Sequence, residues 1–250
     1  MRLATFNIRH GAPPRRWAQP RRMAAAVASL RADVVALQEV DRRTVRTWIV
    51  DQAAMAAHRS GTVALFGAAR GFGPRGQYGN ALLVRGRVLD HVVHPLGGPG
   101  EPRVALIARV VVRATEMTVV STHLQNRRGD GPSTAPDQLE ELVGVLSGWP
   151  EPWALMGDLN LRADTVEPIL ARAGLTPLHS APTYPSDAPR IRIDWIATRG
   201  LGQAATLVPE LRSSDHRPVV ADLTGPARKA HDPLVAADAR AQYRLETGTM

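Results

Sequence analysis

Short apolar runs recur along the chain, and most of them stop on a polar or charged residue. Runs of this kind, rich in Val, Ile, Leu and Ala, predict strands at Arg2–Asn7, Asp33–Gln38, Thr62–Phe66, Val104–Val112, Met117–Thr122, Trp153–Met156, Ile193–Ala197, Ala204–Val208 and Val219–Leu223. Asn80–Val84 and Val88–His94 read as a hairpin turning at Arg85-Gly86-Arg87. Helical spacing appears in Met23, Val27 and Leu30, with Pro20 near the start, and in Leu139, Leu142, Val143 and Leu146. Trp48–His58 and Thr165–Ala173 complete the helices, and Gly174 is a C-cap for the last. His10–Pro20, Gly67–Gly79 and Asn126–Pro136 read as loops. Consecutive strands exclude a simple βαβ repeat and point to mixed sheets with helices outside, in the α/β class. No internal repeat is evident. After Gly225-Pro226 the chain turns polar and alanine-rich, so residues 1–225 are expected to form the catalytic domain and 226–250 a C-terminal tail.

Composition narrows the class. At 250 residues with 44% hydrophobic content, the chain can bury a sizeable core. No run is long enough to span a membrane, and the first residues lack the apolar stretch of a signal peptide. Cysteine is absent, which excludes disulfides and thiolate metal sites. A cytoplasmic location is the expectation, with no obligate protein partner evident. The net charge of +8 rests almost wholly on arginine, since Lys229 is the single lysine. Residues 1–60 hold 11 Arg against four acids, whereas the remainder holds 20 basic residues against 19 acidic. Arg15, Arg16, Arg21, Arg22, Arg42, Arg43 and Arg46 carry this excess, either as a rim attracting a polyanion or as solvated surface.

Six polar positions stand at or beside the ends of predicted strands: Asn7, Glu39, His123, Asp158 with Asn160, Asp194, and Asp215 with His216. Side chains at strand ends are rigidly held yet open to ligand. Carboxylate and amide oxygens suit a hard divalent cation such as Mg²⁺ or Mn²⁺. Asp beside His offers a ligand and a proton-transfer group together. Asp194 lies in an apolar run and needs a buried partner. Each residue alone has an ordinary structural explanation as a turn, cap or core polar group. Six in one chain point instead to a metal-dependent hydrolase.

The ordered set Thr5-Phe6-Asn7, Leu37-Gln38-Glu39-Val40, Thr122-His123-Leu124, Gly157-Asp158-Leu159-Asn160, Ile193-Asp194-Trp195-Ile196 and Ser214-Asp215-His216-Arg217-Pro218 resembles the endonuclease/exonuclease/phosphatase (DNase I-like) superfamily over about residues 2–224. Tyr78-Gly79-Asn80-Ala81-Leu82-Leu83 and Arg103-Val104-Ala105-Leu106 resemble further family elements. The resemblance implies a four-layer α/β sandwich, two mixed β-sheets packed face to face with helices outside and the site at one end. It implies that Glu39 is the principal Mg²⁺ (or Mn²⁺) ligand, with Asn7 and Asp215 nearby. Asp158 and Asn160 would position the attacking water and a phosphate oxygen. Asp194 would fix the tautomer of His216, and His123 would contact the phosphate or assist the leaving group. Arg103 and Asn80 are expected at the substrate. Either Asp158 or His216 would take the water's proton, and the two histidines could serve as base and acid on opposite sides of the phosphorus.

Three departures separate the chain from named branches. DNase I-like enzymes carry a glutamate that orients the first histidine, but residues 52–89 contain no carboxylate, so a backbone carbonyl, a hydroxyl or water is expected to orient His123. His123 stands where the abasic endonucleases resemble Tyr, and Val40-Asp41 replaces the Thr-Lys of exonuclease III relatives. No aromatic or apolar lid for a membrane is evident in a chain with 4% aromatic residues. The expected activity is therefore hydrolysis of a phosphodiester, with nucleic acid as the partner. The rivals are a small phosphorylated metabolite or lipid headgroup as substrate, and a catalytically silent nucleic-acid-binding module.

Overall fold

The computed structural model describes residues 1–126 and 134–225. Twelve strands run β1 (Arg2–Asn7), β2 (Val34–Arg42), β3 (Val63–Phe72), β4 (Gly76–Val84), β5 (Arg87–Leu96), β6 (Arg103–Val112), β7 (Thr115–His123), β8 (Trp153–Asp158), β9 (Thr176–Pro177), β10 (Asp194–Arg199), β11 (Gly202–Leu207) and β12 (Val219–Thr224). The helices are α1 (Pro20–Ser29), α2 (Gln52–Ser60), α3 (Ala135–Leu146) and α4 (Ala163–Arg172). One sheet has the order β11-β12-β1-β2-β4-β3 and the other β5-β6-β7-β8-β10-β9.

The apolar runs are continuous because both faces of each central strand are buried. Leu3, Val34, Ala36 and Leu82 of the first sheet meet Leu106, Val119, Ala154, Met156 and Ile196 of the second between the sheets. Their alternate neighbours point outward. Ala4, Phe6, Val35 and Leu37 pack on Met23 and Val27 of α1 and on Ala53 and Ala56 of α2. Ile107, Val120, Leu155 and Trp195 pack on Leu139 and Leu142 of α3 and on Val166 and Leu170 of α4. This is the expected four-layer sandwich.

Each sheet contains one parallel pair, β1–β2 and β7–β8, and all its other pairings are antiparallel. A parallel pair needs a crossover, which α1 and α3 supply. The carboxyl ends of both parallel pairs face the same end of the sandwich, and the site forms there.

Four local readings are corrected. Gly67–Gly79 is not a loop: β3 and β4 pair across Phe72 and Gly76, with a register shift between Ala68 and Arg70. Glycines that read as loop residues here sit in strands at a bulge. Asn80–Val84 and Val88–His94 form no hairpin, because β4 pairs with β2 and β3 whereas β5 pairs with β6. The chain instead turns at Gly86 from one sheet to the other, where a Cβ would lie 2.1 Å from the Val111 carbonyl oxygen. The strand that was expected to stop at Gln38 continues to Arg42 past a register shift between Leu37 and Val40. The helix expected over 48–58 starts later, where Asp51 caps it by accepting from Ala54 N. The tail 226–250 and residues 127–133 of the predicted loop lie outside the described residues.

Candidate active site

Asn7 ends β1, and Glu39 sits on the bulge of β2 with φ +56°. A glutamate in the left-handed region is strained, by about 1–3 kcal/mol, and such strain gathers at functional positions. The bulge turns the carboxylate away from the regular strand alternation and toward Asn7. Opposite them, the parallel register sets His123 of β7 beside Asp158 of β8. Gly157 makes that pairing possible, since a Cβ there would meet the Thr122 carbonyl oxygen at 2.2 Å. The antiparallel register then sets Asp194 of β10 beside Asp158. Asp215 and His216 arrive on the turn before β12, held by a bond from Ser214 Oγ to Asn7 O of 2.7 Å.

The side chains interlock. Asn7 Nδ2 donates to Glu39 Oε1 at 3.1 Å and to Asp158 Oδ2 at 2.9 Å. His123 Nε2 and His216 Nε2 each stand 3.6 Å from the same Asp158 Oδ2. Asp158 Oδ1 accepts from Asn160 N at 3.0 Å, and Asn160 Nδ2 is tied to Leu124 O. Asn160 has φ +52°, which asparagine tolerates. His216 Nδ1 lies 2.9 Å from Asp194 Oδ2, which also accepts from Thr183 Oγ1 at 2.5 Å. The Tyr184 ring tilts against His216 with centroids 4.9 Å apart. All the sequence-derived residues therefore fall at one end of the sandwich. Asn80 is among them as a tie between the sheets, its Nδ2 donating to Val104 O. Asp215 is partly exposed and pairs with Arg9 at 3.4 Å.

The electrostatics divide the site into two parts. On the proton-handling side, burial disfavours the His216 cation, but Asp194 and then Asp158 outweigh it and raise the pKa. Burial raises Asp158 as well, and Asp194 adds to this against the attraction of His216. Around Glu39, burial raises its pKa and the nearby Asp215 reinforces this, while the Asn7 hydrogen bond opposes both. Buried carboxylates in this condition are what a hard cation relieves; Glu39 and Asp215 offer it oxygens, while Asn7 presents its amide NH2 to Glu39 and its Oδ1 accepts from Arg9 N. The set fits Mg²⁺ or Mn²⁺. Asp158, Asp194 and His216 also offer ligand atoms within 4.8 Å of one another. There Asp194 Oδ2 is engaged by His216 and Thr183, while its buried Oδ1 has no hydrogen-bond partner.

The orientation of His123 differs from the expectation. No carbonyl, hydroxyl or water is needed, because Arg103 Nη1 lies 3.0 Å from His123 Nδ1. A guanidinium can only donate, so Nδ1 accepts and the imidazole proton sits on Nε2. Arg103, 4% exposed, is itself fixed by Gln125 Oε1 at 3.0 Å and Glu101 at 3.2 Å. Burial, with Arg103 next and His216 after it, holds the His123 pKa well below the usual histidine value. In this geometry His123 offers a neutral Nε2–H donor. Thr183, Tyr184, Glu101 and Gln125 escaped the sequence reading. Their only signal was position: the first two begin a loop that the β10 strand follows, and the others flank Arg103 and His123.

A model of the Endonuclease/Exonuclease/phosphatase family matches residues 4–216. No curated protein matches the chain. Among solved structures, an endonuclease/exonuclease/phosphatase from Beutenbergia cavernae is similar at TM-score 0.74 and 22% identity, covering 92% of this chain and 73% of its own. A mannosyl-6-phosphatase from Bacteroides thetaiotaomicron superposes at TM-score 0.71 with 15% identity over 90% and 99% of the two chains. D. rerio TDP2 complexed with a single-strand DNA product gives 0.69 and 16% over 90% and 98%. At these identities the structures speak for the fold, while the family model, spanning most of the sequence, shows that the chain belongs to the endonuclease/exonuclease/phosphatase family.

Proposed function

We propose that the chain is a divalent-metal-dependent hydrolase of phosphodiesters. The observation that carries this reading is the convergence of Asn7, His123 and His216 on one oxygen of Asp158, with Glu39 held beside it by the same Asn7 amide. Glu39, Asp215 and Asn7 would hold the Mg²⁺ or Mn²⁺ ion, which supplies charge neutralisation at the phosphoryl oxygens. His216, kept protonated by Asp194, donates Nε2–H to the phosphate or the departing oxygen. That leaves Asp158 as the proton acceptor for the attacking water, with Asn160 oriented beside it. His123 donates its Nε2–H to a phosphoryl oxygen and neither gains nor loses a proton.

Two substrate classes suit this chemistry. The arginine-rich first 60 residues support nucleic acid. An exposed apolar corner beside the site, described below, supports a lipid headgroup instead. The test is a panel of plasmid, single-stranded DNA, phospholipid, inositol phosphates and bis(p-nitrophenyl) phosphate, each with Mg²⁺, Mn²⁺ or EDTA. Asp158→Asn and His216→Ala should abolish turnover of whichever substrate is cleaved. Turnover that survives both substitutions, or that EDTA leaves intact, refutes the reading.

A further inference from the structure

The four most exposed apolar side chains are not scattered. Trp17 is 85% exposed, Val45 83%, Trp48 69% and Ile49 64%. They lie on just two loops, the one that follows β1 and the one that follows β2. Those loops are knitted together: Trp48 Nε1 reaches Ala18 O at 3.5 Å, and Gln52 bonds His10 O at 2.7 Å and Asp41 N at 2.9 Å. Because β1 and β2 are parallel, both loops leave the sandwich at the end that carries Asn7 and Glu39. The apolar corner is thus anchored to the rim of the active site. No apolar lid was legible in the sequence, because Trp17 stands alone in its segment and Val45 is separated from Trp48 and Ile49 by Arg46 and Thr47.

The charges around it have sorted themselves. Arg42 and Arg46, expected on a basic rim, are bound to Asp51 and Asp41. Arg15, Arg16, Arg21, Arg22 and Arg43 are exposed, on the same two loops and the first turn of α1, with no ion pair among the described residues. A shallow groove of ≈ 580 Å³ between Gln19, Pro20, Arg22, Trp48, Val50 and Met55 runs through the corner.

We propose that this corner is a docking surface for an anionic lipid bilayer. Indole rings favour the boundary between headgroups and acyl chains, and arginines around them meet anionic headgroups. The aliphatic members decide against nucleic acid. Bases stack on aromatic faces and guanidinium planes, and an exposed Val or Ile gives them no such platform, whereas hydrocarbon accepts both. Two of the five tryptophans in this aromatic-poor chain stand at the corner. Docking there holds the Asn7 and Glu39 end of the sandwich at the bilayer surface, and it assigns the phosphodiester to a lipid headgroup. That assignment rests on the phosphodiesterase reading; the docking itself does not.

Vesicle co-sedimentation in EDTA separates the two, because no turnover occurs. The chain should sediment with phosphatidylcholine vesicles containing phosphatidylglycerol, and much less with pure phosphatidylcholine. Trp17→Ser with Ile49→Ser should abolish binding to the anionic vesicles, with circular dichroism and the unfolding midpoint checking the fold. Arg15→Gln and Arg16→Gln, which remove charge without touching the apolar contacts, should each weaken it about fivefold. Failure to sediment with anionic vesicles, or undiminished binding by the folded variants, overturns the proposal. It is also overturned if the variants lose only single-stranded DNA binding, or only a concentration-dependent dimer seen by sedimentation velocity. Failure here leaves Asp158→Asn as a separate test of catalysis.

Discussion

Arg103→Met tests the most unusual feature of the site. The substitution keeps an apolar stem in a buried position and removes three bonds: to His123 Nδ1 at 3.0 Å, to Gln125 at 3.0 Å and to Glu101 at 3.2 Å. Glu101 retains Arg70 at 3.0 Å, so it is not stranded as an unpaired charge. Hydrogen bonds to charged groups contribute about 1.5–3 kcal/mol each, and with partial compensation the fold should lose ~2 kcal/mol. The catalytic consequence is different in kind. In the wild type the guanidinium forces the proton onto Nε2 of His123; in the variant both tautomers are accessible, and one presents a lone pair to the phosphate. Loss of a positioned donor to developing charge costs up to about 10²-fold in kcat. Met keeps the position apolar, so burial, the larger cause of the low His123 pKa, still disfavours the imidazolium, and the defect should persist from pH 5 to 9. The assay is kcat/KM for bis(p-nitrophenyl) phosphate from pH 5 to 9, read as the wild-type-to-variant ratio. A variant as active as wild type refutes the assignment of His123 as an arginine-held neutral donor.

The sign of the stability effect follows from the same group. His123 has a folded pKa below its unfolded value, so the unfolded chain binds more protons, and this contribution to stability is lost as pH falls below about 6.5; urea unfolding should show a shallower acid loss in Arg103→Met than in wild type. Asp194→Asn should lower kcat by about 10²–10⁴-fold and shift the alkaline limb to lower pH, because the carboxylates that raise His216 are then one fewer; an unmoved limb would show that His216 is not the group reported. Gly157→Ala should destabilise by about 3 kcal/mol in urea unfolding, since the added carbon collides with backbone rather than with a side chain that can yield. Glu39→Gln should make the metal-free protein more stable, because it removes a buried carboxylate beside Asp215, and should at the same time abolish the rise in melting temperature that Mg²⁺ or Mn²⁺ gives the wild type. A Glu39→Gln protein that melts lower without metal and still responds to it would place the cation elsewhere.

The four-layer fold was legible because strands buried on both faces leave unbroken apolar runs, as in Ala154-Leu155-Met156, where Leu155 packs outward on the helices and its neighbours pack between the sheets. What misled was chain reversal. Arg85-Gly86-Arg87 has the composition of a hairpin turn, yet the same two or three residues suffice to step between facing sheets, and composition does not distinguish them. Glycines misled in the other direction, since Gly76 and Gly79 suggested a loop where a Cβ would collide with the carbonyl oxygens of Phe72 and Gly67.

The site was legible to the extent that its chemistry is carried by residues fixed to strand ends, and it was opaque where function is relational. Glu39 could be named from its position after an apolar run, but its positive φ and the bulge that aims it are properties of pairing between β2 and β4. His123 could be named too, but its protonation depends on a guanidinium 20 residues away. The absence of a carboxylate from residues 52–89 correctly signalled that something else orients His123, yet a missing residue does not say what replaces it. The substitution of a donor for an acceptor at Nδ1 inverts the histidine's role from proton carrier to fixed hydrogen-bond donor. On the proposed mechanism it leaves proton transfer to Asp158 and His216, with 3.6 Å between Asp158 Oδ2 and His216 Nε2. An enzyme so arranged has one titrating pair, coupled through Asp158 Oδ2, in place of two histidines titrating independently.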